Sequence, residues 1–193
     1  MARKKYEFKP DKISLGFFHK LYLTKKQRIS ILKWVLYALV LLVMSLLQDV
    51  ILCKLDIFGA TTDLVPCAIF LTCMLLGTQT GCVYALIAAS LFQFSGSGPG
   101  YHAIAIITIL CIVGAMFRQS FLRKGFGSCL LCAGVCHMLY ELIVFIIGII
   151  LGQAVLGRVF VALLTGALSL VAIPVLYPIL RSIEKIGGET WKD

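Results

Sequence analysis

The sequence predicts an all-α integral membrane protein with six transmembrane helices. Both termini lie in the cytoplasm, and the second and third helices are short. Three observations carry this prediction. Hydrophobic residues make up 60% of the 193 and charged residues 14%, with a mean hydropathy of +0.98, whereas soluble chains run near ~45–50% apolar and ~25% charged. Several apolar runs approach or exceed the ~20 residues that span a bilayer as helix. The basic residues collect at the ends of those runs, as the positive-inside rule requires.

The elements follow in order. Residues 1–30 form a basic cytoplasmic arm, and ten of the 18 Lys and Arg fall within the first 33 residues. This polar leader is too long for a cleavable signal, so the first apolar run inserts as an uncleaved anchor. A first span covers about Ile31–Leu52, with Lys33 and Trp34 at its cytoplasmic end and Gln48-Asp49 at the far end. A run from Leu64 to Phe94 carries no charge. "SGSGPGY" then breaks the chain with turn-forming Gly and Pro. Further spans run from about Tyr101 to Phe117, Phe126 to Leu151 and Val159 to Leu180, separated by a basic loop (Arg118, Arg123, Lys124) and by "GQAVLGR". Residues 31–180 thus form the transmembrane domain, and 181–193 a polar cytoplasmic tail.

The uncharged run is the decisive stretch. As one helix its 31 residues would measure about 46 Å, against a ~30 Å hydrocarbon core. Charge resolves the choice. With a break at "GTQTG" (Gly77–Gly81), 16 Lys and Arg lie inside and two, Lys54 and Arg158, outside; with one long helix the division is 11 and seven. The first fits the positive-inside rule far better. Gly77 and Gly81 therefore read as a cytoplasmic turn, the rival being a helix-packing Gly-x-x-x-Gly pair. Gly148 and Gly152 share that spacing.

The net charge of +9 belongs to this asymmetry and to anionic lipid headgroups, not to nucleic acid. Eight cysteines raise a metal reading. Cys129, Cys132 and Cys136, followed by His137, share a helical face. A zinc site needs thiolates, which are costly to ionise in lipid, and small apolar Cys is an ordinary packing residue. No metal or cofactor is expected. Glu141 is the one acidic group deep in a span, and His137 lies one turn before it on the same face. Two readings stay open: a pair that shares a proton or lines a polar pocket, and a Glu141 that hydrogen-bonds a neighbouring helix to lock the bundle. A proton relay would call for further carboxylates at that depth, and none is expected. Gln48, Asp49, Asp56, Asp63, Gln93, His102 and Arg158 fall at outer ends of spans or in outer loops. They read either as an outward polar concavity for a partner segment or small ligand, or as ordinary interfacial residues. No phosphate loop, His-Glu-x-x-His or paired-aspartate motif occurs, so no enzyme is expected.

The stretch "QDVILCKLDIFGATTDLVPCAIFLTCMLLGTQTGCVYALIAASLFQFSGSGPGYHAI" resembles the bacterial rod shape-determining MreD family. Leu47-Gln48 matches a Leu-Gln near the end of the family's first span. Asp63-Leu64 matches the element opening its second, Gly77 and Gly81 its short turn, and Gly100-Tyr101-His102 the entry to its fourth. The resemblance covers about residues 31–180. Two departures stand out: Thr62 replaces the Pro before Asp-Leu, with Pro66 one turn on, and Gln93 stands where the family has Asp. The resemblance implies a non-enzymatic component of the cell-elongation machinery in the bacterial cytoplasmic membrane. It would bind the scaffold MreC and help couple MreB to peptidoglycan synthesis by a class B penicillin-binding transpeptidase and a shape-type glycosyltransferase. The family is also similar in architecture to the six-helix substrate-binding subunits of energy-coupling factor vitamin transporters. That likeness supplies the alternative function.

Overall fold

The structure is a computed structural model that describes residues 25–54, 60–122 and 125–186. Residues 1–24 of the predicted arm, Asp56, Arg123 and Lys124 of the basic loop, and residues 187–193 of the predicted tail lie outside the described residues. The described chain forms α1 (Lys25–Val50), α2 (Leu64–Leu76), α3 (Thr78–Phe94), α4 (His102–Phe121), α5 (Phe126–Ile150), α6 (Val159–Leu170) and α7 (Ala172–Glu184). Short 3-10 turns occupy Leu52–Lys54 and Leu156–Arg158.

Among the described residues four stretches are long and apolar enough to cross a membrane: Gln27–Val50, His102–Phe121, Phe126–Ile150 and Leu156–Glu184. Their outer faces carry large apolar side chains in the open, among them Leu32, Leu42, Val113, Leu131 and Phe160. Such a surface suits lipid and would aggregate in water. The chain is thus an all-α protein of multi-pass membrane character.

α2 is the axis of the bundle. All 13 of its residues are buried, and α1, α3, α4, α5, α6 and α7 all pack on it. At 1.5 Å per residue it is about 20 Å long, well short of a hydrocarbon core.

The uncharged run is two helices. Gly77 ends α2 at φ 80° and ψ −179°, a conformation essentially confined to glycine. Its N–H donates to the Cys73 carbonyl at 3.1 Å. α3 starts at the next residue and returns along α2, so close that a Cβ on Gly81 would stand 2.8 Å from both the carbonyl oxygen and Sγ of Cys73. The turn is therefore narrower than Gly77–Gly81. Gly77 makes the reversal and Gly81 is a packing residue inside α3. Gly148 and Gly152 do not form a packing pair between helices. Gly152, at φ 71°, ends α5, and the Gly148 carbonyl accepts the N–H groups of Gln153 and Ala154 at 2.8 and 3.0 Å.

The basic residues at the opposite end of the bundle differ from expectation. Arg118 does not stand in a loop, because α4 continues to Phe121. Its side chain is buried, and Nη1 donates to the Met74 carbonyl in the last turn of α2. A cation there offsets the partial negative charge of the α2 C-terminus. Lys33 is buried too, and its Nζ donates to the Glu184 carbonyl at 2.9 Å, at the end of α7. Both side chains close helix ends instead of facing headgroups.

The last apolar stretch is interrupted at Val171, between α6 and α7. Pro174 explains the interruption: it has no N–H for the Leu170 carbonyl, and its ring crowds that carbonyl.

Candidate functional site

A helix that begins inside a protein faces a specific problem. Its first N–H groups have no intrahelical acceptor and cannot reach water. α2 begins in this way. The Asp63 N–H donates to Ser169 Oγ at 2.8 Å, and the Val65 N–H donates to Gln48 Oε1 at 2.9 Å. Gln48 comes from the end of α1 and Ser169 from the last turn of α6, so both neighbours supply acceptors to the start of α2. The other end of the Gln48 amide donates to Asp63 Oδ1 at 3.4 Å. Ser169 passes its own hydroxyl proton to the Thr165 carbonyl at 2.8 Å, and its carbonyl accepts the Cys67 thiol at 3.5 Å.

α5 brings the second half of the site. The carboxyls of Asp63 and Glu141 lie near enough to each other to interact. This corrects the expectation that no other carboxylate lies at the depth of Glu141, and the expectation that Asp63 is only an outer-end residue. The length of α2 is the reason. A helix this short starts well inside the bundle, and the residue before it starts there too. α6 can approach because residue 166 is glycine: a Cβ there would stand 2.8 Å from Met138 Sδ and 3.5 Å from Glu141 Cγ.

His137 completes the cluster. Its Nε2 lies 3.7 Å from Glu141 Oε1. The ring is fully buried, and neither ring nitrogen has a hydrogen-bond partner; nor does Glu141 Oε1. Tyr140 stacks on the imidazole at 6.3 Å between centroids, and Phe70 of α2 meets it edge-on at 6.4 Å. Gln48, Asp63, His137 and Glu141 are thus gathered at one place from three helices.

The remaining predicted site residues lie elsewhere. Asp49 Oδ1 accepts the Ser97 hydroxyl at 2.7 Å, and Gln93 Oε1 accepts the Gly100 N–H at 3.3 Å. His102 opens α4 beside Gly100, where an added Cβ would stand 2.6 Å from its Cε1. These three residues organise the "SGSGPGY" loop. Arg158 is exposed in the turn before α6. The polar residues therefore form an enclosed cluster and a separate loop network, not one continuous crown.

The cysteines act as packing residues with weak donors. Cys73 Sγ faces the Cys111 carbonyl and Cys136 Sγ the Leu110 carbonyl, both at 3.6 Å. Among the described residues no group of three His, Cys, Asp or Glu is disposed to hold a metal ion.

Two apolar grooves mark the exterior. One of about 490 Å³ lies between α5 and the α6–α7 pair, lined by Leu130, Gly134, Met138, Leu163, Leu170 and Ile173. The other, of about 330 Å³, lies between α1 and α3, lined by Leu41, Leu46, Val65, Leu91 and Phe92.

No sequence motif marks Ser169 or Arg118 as a site or helix-capping residue. Pro174 is the one sequence signal near Ser169, since a proline in an apolar span marks disturbed backbone where a hydroxyl finds partners. Comparison with protein families, with curated proteins and with solved structures finds no match for this chain.

Proposed function

We propose that the chain is a non-enzymatic scaffold component of a bacterial cell-elongation machinery, of the MreD type. It crosses the cytoplasmic membrane six times with both termini inside, α2 and α3 serving as the short second and third spans. It binds the MreC transmembrane segment and helps couple MreB to the transpeptidase and glycosyltransferase that build peptidoglycan. The observation that supports this most is a coincidence of motif and structure. The residues carrying the resemblance are the nodes of the fold: Gln48 and Asp63 at the start of α2, Gly77 and Gly81 at its reversal, and Gly100 to His102 at the entry to α4. The small residues and grooves on the lipid side suit close helix packing, as a single-span partner requires. The N-terminal arm would lie against anionic lipid.

The alternative is a substrate-binding subunit of an energy-coupling factor vitamin transporter. The buried polar cluster favours it, because such a subunit needs polar groups enclosed among its helices. One experiment separates the two. The C-terminally tagged protein is crosslinked in intact cells, purified in mild detergent, and its companions identified. Recovery of MreC with a transpeptidase or glycosyltransferase supports the scaffold. Recovery of paired ATPases and a membrane coupling subunit overturns it in favour of the transporter.

A further inference from the structure

α1 and α3 meet at one end and part at the other. On α1, Trp34, Ala38, Leu42, Ser45 and Asp49 recur every three or four residues and so form one stripe. On α3, Tyr84, Ala88, Leu91 and Ser95 do the same. Near the start of α1 the two stripes touch through rings: Trp34 lies 6.2 Å and Tyr37 5.8 Å from Tyr84 between centroids. Beyond the rings Ala38, Ser45 and Ala88 are small, and the stripes separate into the groove of about 330 Å³ between α1 and α3. Ser45 and Ser95 line its far end, and polar side chains cross it there. Ser95 Oγ lies 3.1 Å from Ser97 Oγ, and Ser97 donates to Asp49 Oδ1 at 2.7 Å. An apolar slot thus ends under the exposed Asp49, one helical turn past Ser45. Lys54, also exposed, stands in the 3-10 turn that follows α1.

We propose that this slot holds one acyl chain of a phospholipid whose headgroup carries a primary ammonium, with the ammonium at Asp49 and the phosphate toward Lys54. Width selects a chain. The lining stretch of α1, from Ala38 to Leu46, is about 12 Å long, and a helix about 10 Å across would need roughly 900 Å³ over that length, against about 330 Å³ in the slot. Charge selects the headgroup. A chain gains no hydrophobic free energy by leaving lipid for an apolar slot, and close packing holds one chain much like another. The contact at the mouth therefore distinguishes one lipid from the next. An ammonium donates charge-assisted hydrogen bonds to a carboxylate, which a headgroup without a cation cannot do. The mouth lies at the end of the bundle that the proposed topology places outside, so the lipid belongs to the outer leaflet, and only the choice of leaflet rests on that topology. The partner segment proposed above keeps the larger groove beside α5.

The test is native mass spectrometry of the purified, delipidated full chain, titrated with phosphatidylethanolamine and phosphatidylglycerol of equal chain length. The wild type is expected to bind one phosphatidylethanolamine with a preference of at least about tenfold, the size of one hydrogen bond to a charged group. Asp49→Asn keeps an acceptor for Ser97 and removes the charge, so it is expected to abolish the preference and leave a chain bound. Ala38→Phe fills the slot from an exposed position and is expected to remove the bound lipid. A wild type that binds both lipids equally overturns the proposal, whether or not the variants fold. Binding of neither overturns it too, and leaves the slot to a protein segment. A photoreactive acyl chain on phosphatidylethanolamine fixes the place. Crosslinks are expected within residues 38–46 and 91–95, and crosslinks confined to other helices overturn the assignment.

Discussion

Ser169 Oγ accepts the Asp63 N–H at 2.8 Å although 106 residues separate them in the chain. Ser169 stands in the last turn of α6, beside the start of α2, and Asp63 is the residue from which α2 departs. One hydroxyl thus ties the last span to the first turn of the central helix. Gln48 does the same from α1.

Removing either acceptor leaves a buried N–H without a partner. Ser169→Ala and Gln48→Leu are each expected to destabilise the protein by roughly 1–3 kcal/mol. Thermal unfolding in a fixed detergent checks this. A Ser169→Ala midpoint equal to wild type would mean that water or another acceptor reaches the Asp63 N–H.

The α2–α3 reversal makes a second prediction, with two different causes. Gly77→Ala forces a side chain into a backbone region that only glycine accepts readily, at a cost of roughly 1–3 kcal/mol. Gly81→Ala brings a methyl against Cys73 and costs about 1–3 kcal/mol through overpacking. Adding Cys73→Ala removes the Sγ clash and leaves the carbonyl clash, so it should rescue Gly81→Ala in part and Gly77→Ala not at all. Equal rescue of both variants would contradict the hairpin geometry.

Arg118 closes the opposite end of α2. Arg118→Met is expected to lower stability by about 1.5–3 kcal/mol, the range for a lost hydrogen bond to a charged group. Arg118→Lys keeps the charge without the planar fork, and should recover only part of the loss. If Met and Arg proved equally stable in the same unfolding assay, the contact with Met74 would carry no weight.

Membrane orientation is directly measurable. In the proposed topology, alkaline phosphatase fused after Ser97 is active, and fused after Lys185 it is inactive. A fluorescent protein fused after Lys185 should fluoresce. The reverse pattern at Lys185 would leave an odd number of crossings and remove the six-span arrangement.

What the sequence determined by itself follows from local and additive properties. Apolar length identifies candidate spans whatever their neighbours, and Gly77 breaks the uncharged run because only glycine tolerates its backbone angles. The pairing of His137 with Glu141 is equally local, since one helical turn puts both on one face. Tertiary structure decided the rest. Arg118 reads from sequence as a loop cation, and becomes a buried helix cap only because α2 ends beside α4. Asp63 reads as an outer-end residue, and reaches Glu141 only because α2 is short and enclosed by the other helices. Ser169 is marked in the sequence only by Pro174 five residues on, and its role arises from packing that places it against a residue 106 positions away. Such relationships depend on where helices start and stop in depth, and depth is set by packing, which no single stretch of sequence contains.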